Sequence, residues 1–167
     1  MPFAYYDDLS AAQKRIYRKS DTILRIEWPD LPALQPLARA IEPVLAAADR
    51  AAIETACRSL VDTMNAQLAT PRVDVRVLER RPSDNAGELQ GLYEPDEVTA
   101  GAARITVWMR TARKEQVVRF RTFLRTLLHE VCHHLDYELY KLPETFHTQG
   151  FYTRESGLLS DLLGGGA

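Results

Sequence analysis

From Leu34 to Leu68 the apolar residues Leu37, Ile41, Val44, Leu45, Ala48, Ala52, Ala56, Leu60, Met64 and Leu68 recur at intervals of three and four. That is the spacing of one face of a helix. Pro43 starts or kinks a helix rather than sitting mid-turn, so two helical pieces are expected here, and Pro71 ends the run. Upstream, residues 10–19 read as a short helix with Ser10 as its N-cap, and the proline-punctuated stretch through Trp28-Pro29-Asp30-Leu31-Pro32 reads as a connector. Downstream the period changes to two. Val73, Val75 and Val77 alternate with Asp74, Arg76 and Leu78, the signature of a strand. Residues 89–93 make a second strand bounded by Gly87 and Pro95, and residues 104–109 a third. Helical spacing returns from about Lys114 to Lys141, where Pro143 stops it, and again from about Thr148 to Leu163.

Helices, then a small sheet, then helices predict an α+β fold. The 167 residues suffice for a single domain over 1–167, with an N-terminal helical part at 1–70, the sheet and two further helices at 71–163, and a flexible tail at 164–167. Hydrophobic residues at 46% and charged residues at 26% exclude wholesale disorder. A net charge of −2 argues against a general nucleic-acid coat. No apolar run approaches the roughly 20 residues that span a bilayer, and the N-terminus lacks the basic-then-apolar layout of a secretion signal. Cys57 and Cys132 are too few for a disulfide scaffold, so reduced thiols and a cytoplasmic location are expected.

All four histidines, His129, His133, His134 and His147, fall in one short C-terminal stretch. Within the long helix stands His129-Glu130-Val131-Cys132-His133, the HExxH pattern. Residues four apart lie one turn up and about 40° around a helix, so both imidazoles reach one tetrahedral ion. Glu130 is rotated roughly 100° from His129, off the metal but beside its open position, where it takes a proton from water. A chain of this composition matches the pattern by accident about once in 150. The apolar stripe Val117, Phe120, Leu124, Leu127, Val131 and Leu135 runs almost opposite the two histidines, so they do not belong to the core face.

A catalytic zinc (Zn2+) needs a third protein ligand. His147 is the leading candidate, because the chain turns at Pro143 and brings it back over the helix. Glu155 is the alternative. It lies on the stripe His147, Phe151, Glu155, Leu158, Leu159 and Leu162, where an unpaired carboxylate is costly, so its partner is the metal, a ligand imidazole or an arginine. His134 reads as a surface or packing residue and Cys132 as an inert buried thiol. Asp136 either supports a ligand histidine or is an exposed helix-face aspartate. Tyr152, or less favourably Tyr140, is the candidate donor to a developing oxyanion.

The stretch 104–155 resembles the zincin metallopeptidases, on His129-Glu130-Val131-Cys132-His133, and among them the SprT-like family, on His147-Thr148-Gln149-Gly150-Phe151. The resemblance implies a zincin-like minidomain with a small, mostly antiparallel sheet packed on the HExxH helix. It further implies His129, His133 and His147 as zinc ligands, Glu130 as general base, and a peptide or protein substrate. By position, strand 104–109 corresponds to the sheet edge that holds substrate in such enzymes. Thr148 stands where the family carries glycine. The function expected is therefore a zinc-dependent metallopeptidase, a hydrolase. The alternative is a zinc-stabilised regulatory or binding domain, associated with nucleic acid through Arg110, Lys114, Arg121 and Arg125, which a continuous helix would place on one face.

Overall fold

The computed structural model describes residues 2–99 and 101–164; of the tail expected at 164–167, residues 165–167 lie outside them. After a 3-10 turn at Ala4–Asp8, helix α1 spans Ala11–Thr22 and opens on a capping box. The Ser10 hydroxyl accepts from the Gln13 N–H at 3.1 Å, and the Gln13 side chain accepts from the Ser10 N–H at 3.0 Å. The stretch predicted as two helical pieces is three: α2 (Leu31–Arg39), α3 (Ile41–Ala46) and α4 (Arg50–Leu68). Pro43 has no N–H to bond the Arg39 carbonyl, so the ladder breaks at Ala40. Asp49 then caps α4 by accepting from the Ala52 N–H at 3.1 Å.

Strand β1 (Val73–Arg80) leads into a short hairpin, β2 (Ser83–Asp84) and β3 (Gly87–Glu88), and then β4 (Gly91–Glu94). One turn of helix, α5 (Asp96–Thr99), precedes β5 (Ala103–Arg110). The main sheet has the order β1-β5-β4, with β1 parallel and β4 antiparallel to β5. Two expectations are corrected here. The sheet is mixed rather than mostly antiparallel, because the chain crosses over through β4 and α5 before β5 returns beside β1. And the strand predicted at 104–109 is the central one, so β4 supplies the edge. The run Ile105-Thr106-Val107-Trp108-Met109 is buried throughout, as a strand covered on both sides requires, whereas β1 alternates buried Val73, Val75 and Val77 with Asp74, Arg76 and Leu78.

The helices share the face of the sheet that carries Val75, Ile105 and Tyr93 in register, and Val77, Val107 and Gly91. The long helix predicted from 114 begins only at Phe120: α6 spans Phe120–Glu138. Residues 111–119 form a turn instead, closed by the Val118 N–H on the Met109 carbonyl at 2.8 Å and by a bridge from Val117 to Arg110. Arg110 and Lys114 therefore do not share a helix face with Arg121 and Arg125. Helix α7 (Gln149–Leu162) packs on α6 and on α1. Gly150 permits the second contact, since a Cβ there would stand 2.6 Å from the Asp21 carbonyl oxygen. Among the described residues no helix is long and apolar enough to cross a membrane, and both cysteines are buried and free.

Candidate metal centre

Helix α6 turns Leu124, Leu127, Leu128, Val131 and Leu135 into the core, which leaves His129 and His133 facing the start of α7 and the edge of β4. The loop after Pro143 carries His147 to the same point. The three imidazoles meet through their Nε2 atoms, at 3.2 Å between His129 and His133, 3.1 Å between His129 and His147, and 3.0 Å between His133 and His147. Phe151, fully buried, packs beneath all three rings with centroid separations of 4.8–5.2 Å. His147 is held in turn by Tyr5, whose hydroxyl donates to its carbonyl at 2.8 Å.

The far nitrogens decide what the near ones can do. His129 Nδ1 lies 2.6 Å from Glu155 Oε1, a carboxylate oxygen that only accepts, so Nδ1 carries the proton. His133 Nδ1 lies 2.8 Å from the Thr145 hydroxyl. That hydroxyl gives its own proton to Asp136 Oδ2 at 2.7 Å, so it accepts from His133. When both rings are neutral, they present bare Nε2 lone pairs to each other with no proton between them. A shared cation relieves that repulsion. Three imidazole nitrogens on a tetrahedral zinc, each about 2.0–2.1 Å from it, stand about 3.3 Å apart. The observed separations are within a few tenths of an ångström, and His129, His133 and His147 fit the ion as a set. Burial, followed by the charges of the neighbouring rings, pushes His133 down to about 3, and burial also lowers His147. Both shifts favour the neutral imidazole, the form that can hold a metal.

Glu155 sits behind His129, with its second oxygen 3.4 Å from Arg125, so its partners are the His129 imidazole and an arginine. Asp136 is fully buried and supports His133 through Thr145; its other oxygen accepts from Arg154 at 2.9 Å. Arg154 is itself buried and donates to the Ser20 and Ile23 carbonyls at the end of α1. His134 belongs to packing: Nε2–H donates to the Pro71 carbonyl at 2.8 Å, and Nδ1 accepts from the Tyr93 hydroxyl at 2.9 Å. Cys132 is buried, which raises its thiol pKa and keeps it inert. Thr148 is fully buried, caps α7 by accepting from the Phe151 N–H at 2.9 Å, and bonds Ser20 at 3.1 Å.

Glu130 is 6% exposed and lines the cleft beside the imidazoles. Burial pushes its carboxyl up to about 7, with His129 pulling it down and Glu155 adding to the rise. Gly91 makes room for it, because a Cβ there would stand 2.9 Å from Thr126 Cγ2 and 3.2 Å from Glu130 Oε2. Tyr152 lies near the trio, its ring 5.7 Å from that of His147 and 6.3 Å from that of His129, but it is not among the residues lining the cleft. Sequence reasoning missed Thr145, Arg154 and Gly91. Only the last carried a signal, a glycine inside a strand pattern, which marks a bulge or a close approach.

The cleft runs between α6 and the β4 edge. One part, about 290 Å³, holds the imidazoles, Glu130, Gly91 and Arg125. A second, about 230 Å³, continues past Glu130 and His133 to Tyr93, Pro95 and Tyr137. No family model, curated protein or solved structure matches the chain.

Proposed function

We propose that the protein is a zinc-dependent peptidase of zincin-like arrangement. The observation that carries this reading is the convergence of the His129, His133 and His147 Nε2 atoms to within 3.2 Å of one another, with Glu155 and Thr145–Asp136 behind the first two rings and Glu130 standing off the set. A zinc ion bound by these three residues supplies Lewis-acid polarisation of a carbonyl and lowers the pKa of a water. Glu130, too far around the helix to be a ligand, accepts the proton of the attacking water and returns it to the leaving amine. The charge of a dication beside it opposes the effect of burial and keeps the carboxylate ionised at neutral pH. Because β5 is central, an extended substrate pairs with the free edge of β4, where Gly91 brings backbone close to Glu130. Antiparallel pairing is the stronger geometry there.

The test is metal analysis and peptide hydrolysis on one set of proteins. Glu130→Gln retains the zinc content of the parent protein and loses turnover. His147→Ala loses zinc and turnover together. Zinc-replete parent protein that hydrolyses no peptide in a broad mixture would rule the reading out.

A further inference from the structure

The cleft has two chemically different ends. Arg125 lies one helical turn before His129, and Tyr137 one turn after His133. Among the described residues lining the cleft, Arg125 carries the only permanent positive charge. Its side chain is 42% exposed, and its two contacts, to Glu155 Oε2 and Ser156 Oγ, are both 3.4 Å. That is longer than the 2.7–2.9 Å of a well-formed charge-assisted bond, and a guanidinium has five N–H donors. Glu155 meets this charge through Oε2 alone, at 3.4 Å, while Oε1 makes the tighter bond, at 2.6 Å, to His129. Arg125 therefore keeps donors turned to the cleft. At the other end the Tyr93 and Tyr137 rings stack at 6.1 Å with an interplanar angle of 21°, flanked by Pro95. That end offers an apolar wall.

We propose that Arg125 binds a carboxylate side chain of the substrate, so that the cleft selects peptides with an acidic residue on one side of the hydrolysed bond and a large apolar residue on the other. This rests on the peptidase reading above and adds its substrate class. The order follows from the topology. β4 runs from Gly91, beside Thr126 and Glu130, toward Tyr93, beside His134. An antiparallel peptide enters at the tyrosines and leaves at Arg125, so the apolar residue precedes the bond and the acidic one follows it. One helical turn rises about 6 Å, or roughly two residues of extended peptide, so the acidic residue falls within about two positions of the bond.

The experiment uses octapeptides with one phenylalanine followed by Asp, Asn or Lys, and the same peptides in reversed order. With the zinc-loaded protein, kcat/KM for the Asp peptide exceeds that for its Asn isostere by about tenfold, the worth of one charge-assisted bond, and the Lys peptide is poorer still. Arg125→Gln, which keeps a donor for Glu155, erases the preference at unchanged zinc content, and Arg125→Glu inverts it toward Lys. Equal turnover of the Asp, Asn and Lys peptides, a preference for reversed order, or Arg125→Glu still favouring Asp overturns the proposal. Binding of the same peptides to zinc-loaded Glu130→Gln, read by fluorescence anisotropy, separates the two readings. Binding that discriminates with no hydrolysis by the parent protein refutes the peptidase and leaves Arg125 its role. Indiscriminate hydrolysis does the reverse, and absence of binding by every peptide overturns the assignment of Arg125.

Discussion

The two imidazoles contributed by α6 are oriented by opposite means. His129 leans on one buried carboxylate, Glu155, and among the described residues that carboxylate is shared with the half-exposed Arg125. His133 is held through a chain in which Thr145 reaches Asp136, Asp136 reaches Arg154, and Arg154 reaches the end of α1. The first support is one side chain deep and ends on an arginine at the mouth of the cleft. The second is buried and ties the metal centre to the N-terminal helices. Removing a partner on the His129 side should therefore weaken the ion's hold alone, whereas removing one on the His133 side should weaken the fold.

The sharpest break of that contrast is Asp136→Ala. It leaves a fully buried guanidinium unpaired, and losses of this kind run to about 3–5 kcal/mol, read as a lowered denaturation midpoint even without metal. Glu130→Gln should act in the other direction. The carboxyl of Glu130 sits at about 7 in the folded chain against an ordinary value of 4.5, so the folded state holds a proton that the unfolded state has lost between those values. Its ionisation thus costs stability as pH rises through that window, by roughly 1.4 kcal/mol per unit, and the cost is complete above about 7. Denaturation in chelator should find Glu130→Gln more stable than the parent by about 3–4 kcal/mol at pH 8 and equal to it at pH 4.

His133 has the opposite sign. Its folded value, about 3, lies below 6.5, so acidification below 6.5 protonates the unfolded chain first and destabilises the metal-free protein progressively. Glu155→Gln should leave stability nearly unchanged and reduce zinc affinity by about 10- to 100-fold, measured by competition with a chelating dye. If Glu155→Gln instead unfolds the chain, the two supports are not different in kind. The smallest effect belongs to Tyr5→Phe, which frees the His147 carbonyl from one hydrogen bond and should cost a few-fold in zinc affinity at constant melting temperature.

Much of the site was readable in the chain because helices write their geometry at fixed spacing. The interval from His129 to His133 needs only one regular turn, and Glu155 on an apolar stripe had to find a partner. Sheet order is different. Whether residues 104–109 lie at an edge or in the middle depends on which strand the chain pairs with after a crossover, and local alternation records that only weakly. Thr145 and Arg154 act through partners 9 to 134 residues away, and nothing in their immediate neighbours announces it. The turn at 111–119 was hidden by basic residues that serve helix and loop equally well. Thr148 caps α7 with its hydroxyl, a need visible only once α7 is in place.

Arg154 also determines how little of this chain can stand alone. Three of its acceptors, the Ser20 carbonyl, the Ser20 hydroxyl and the Ile23 carbonyl, come from the first twenty-three residues. A fragment starting near Pro71 would retain His129, His133 and His147 yet lose those three acceptors, leaving the guanidinium with Asp136, the aspartate that steadies His133. The histidine cluster is not a portable cassette. Excised from its opening helix, it should arrive misfolded, and grafting it elsewhere would require carrying that helix along.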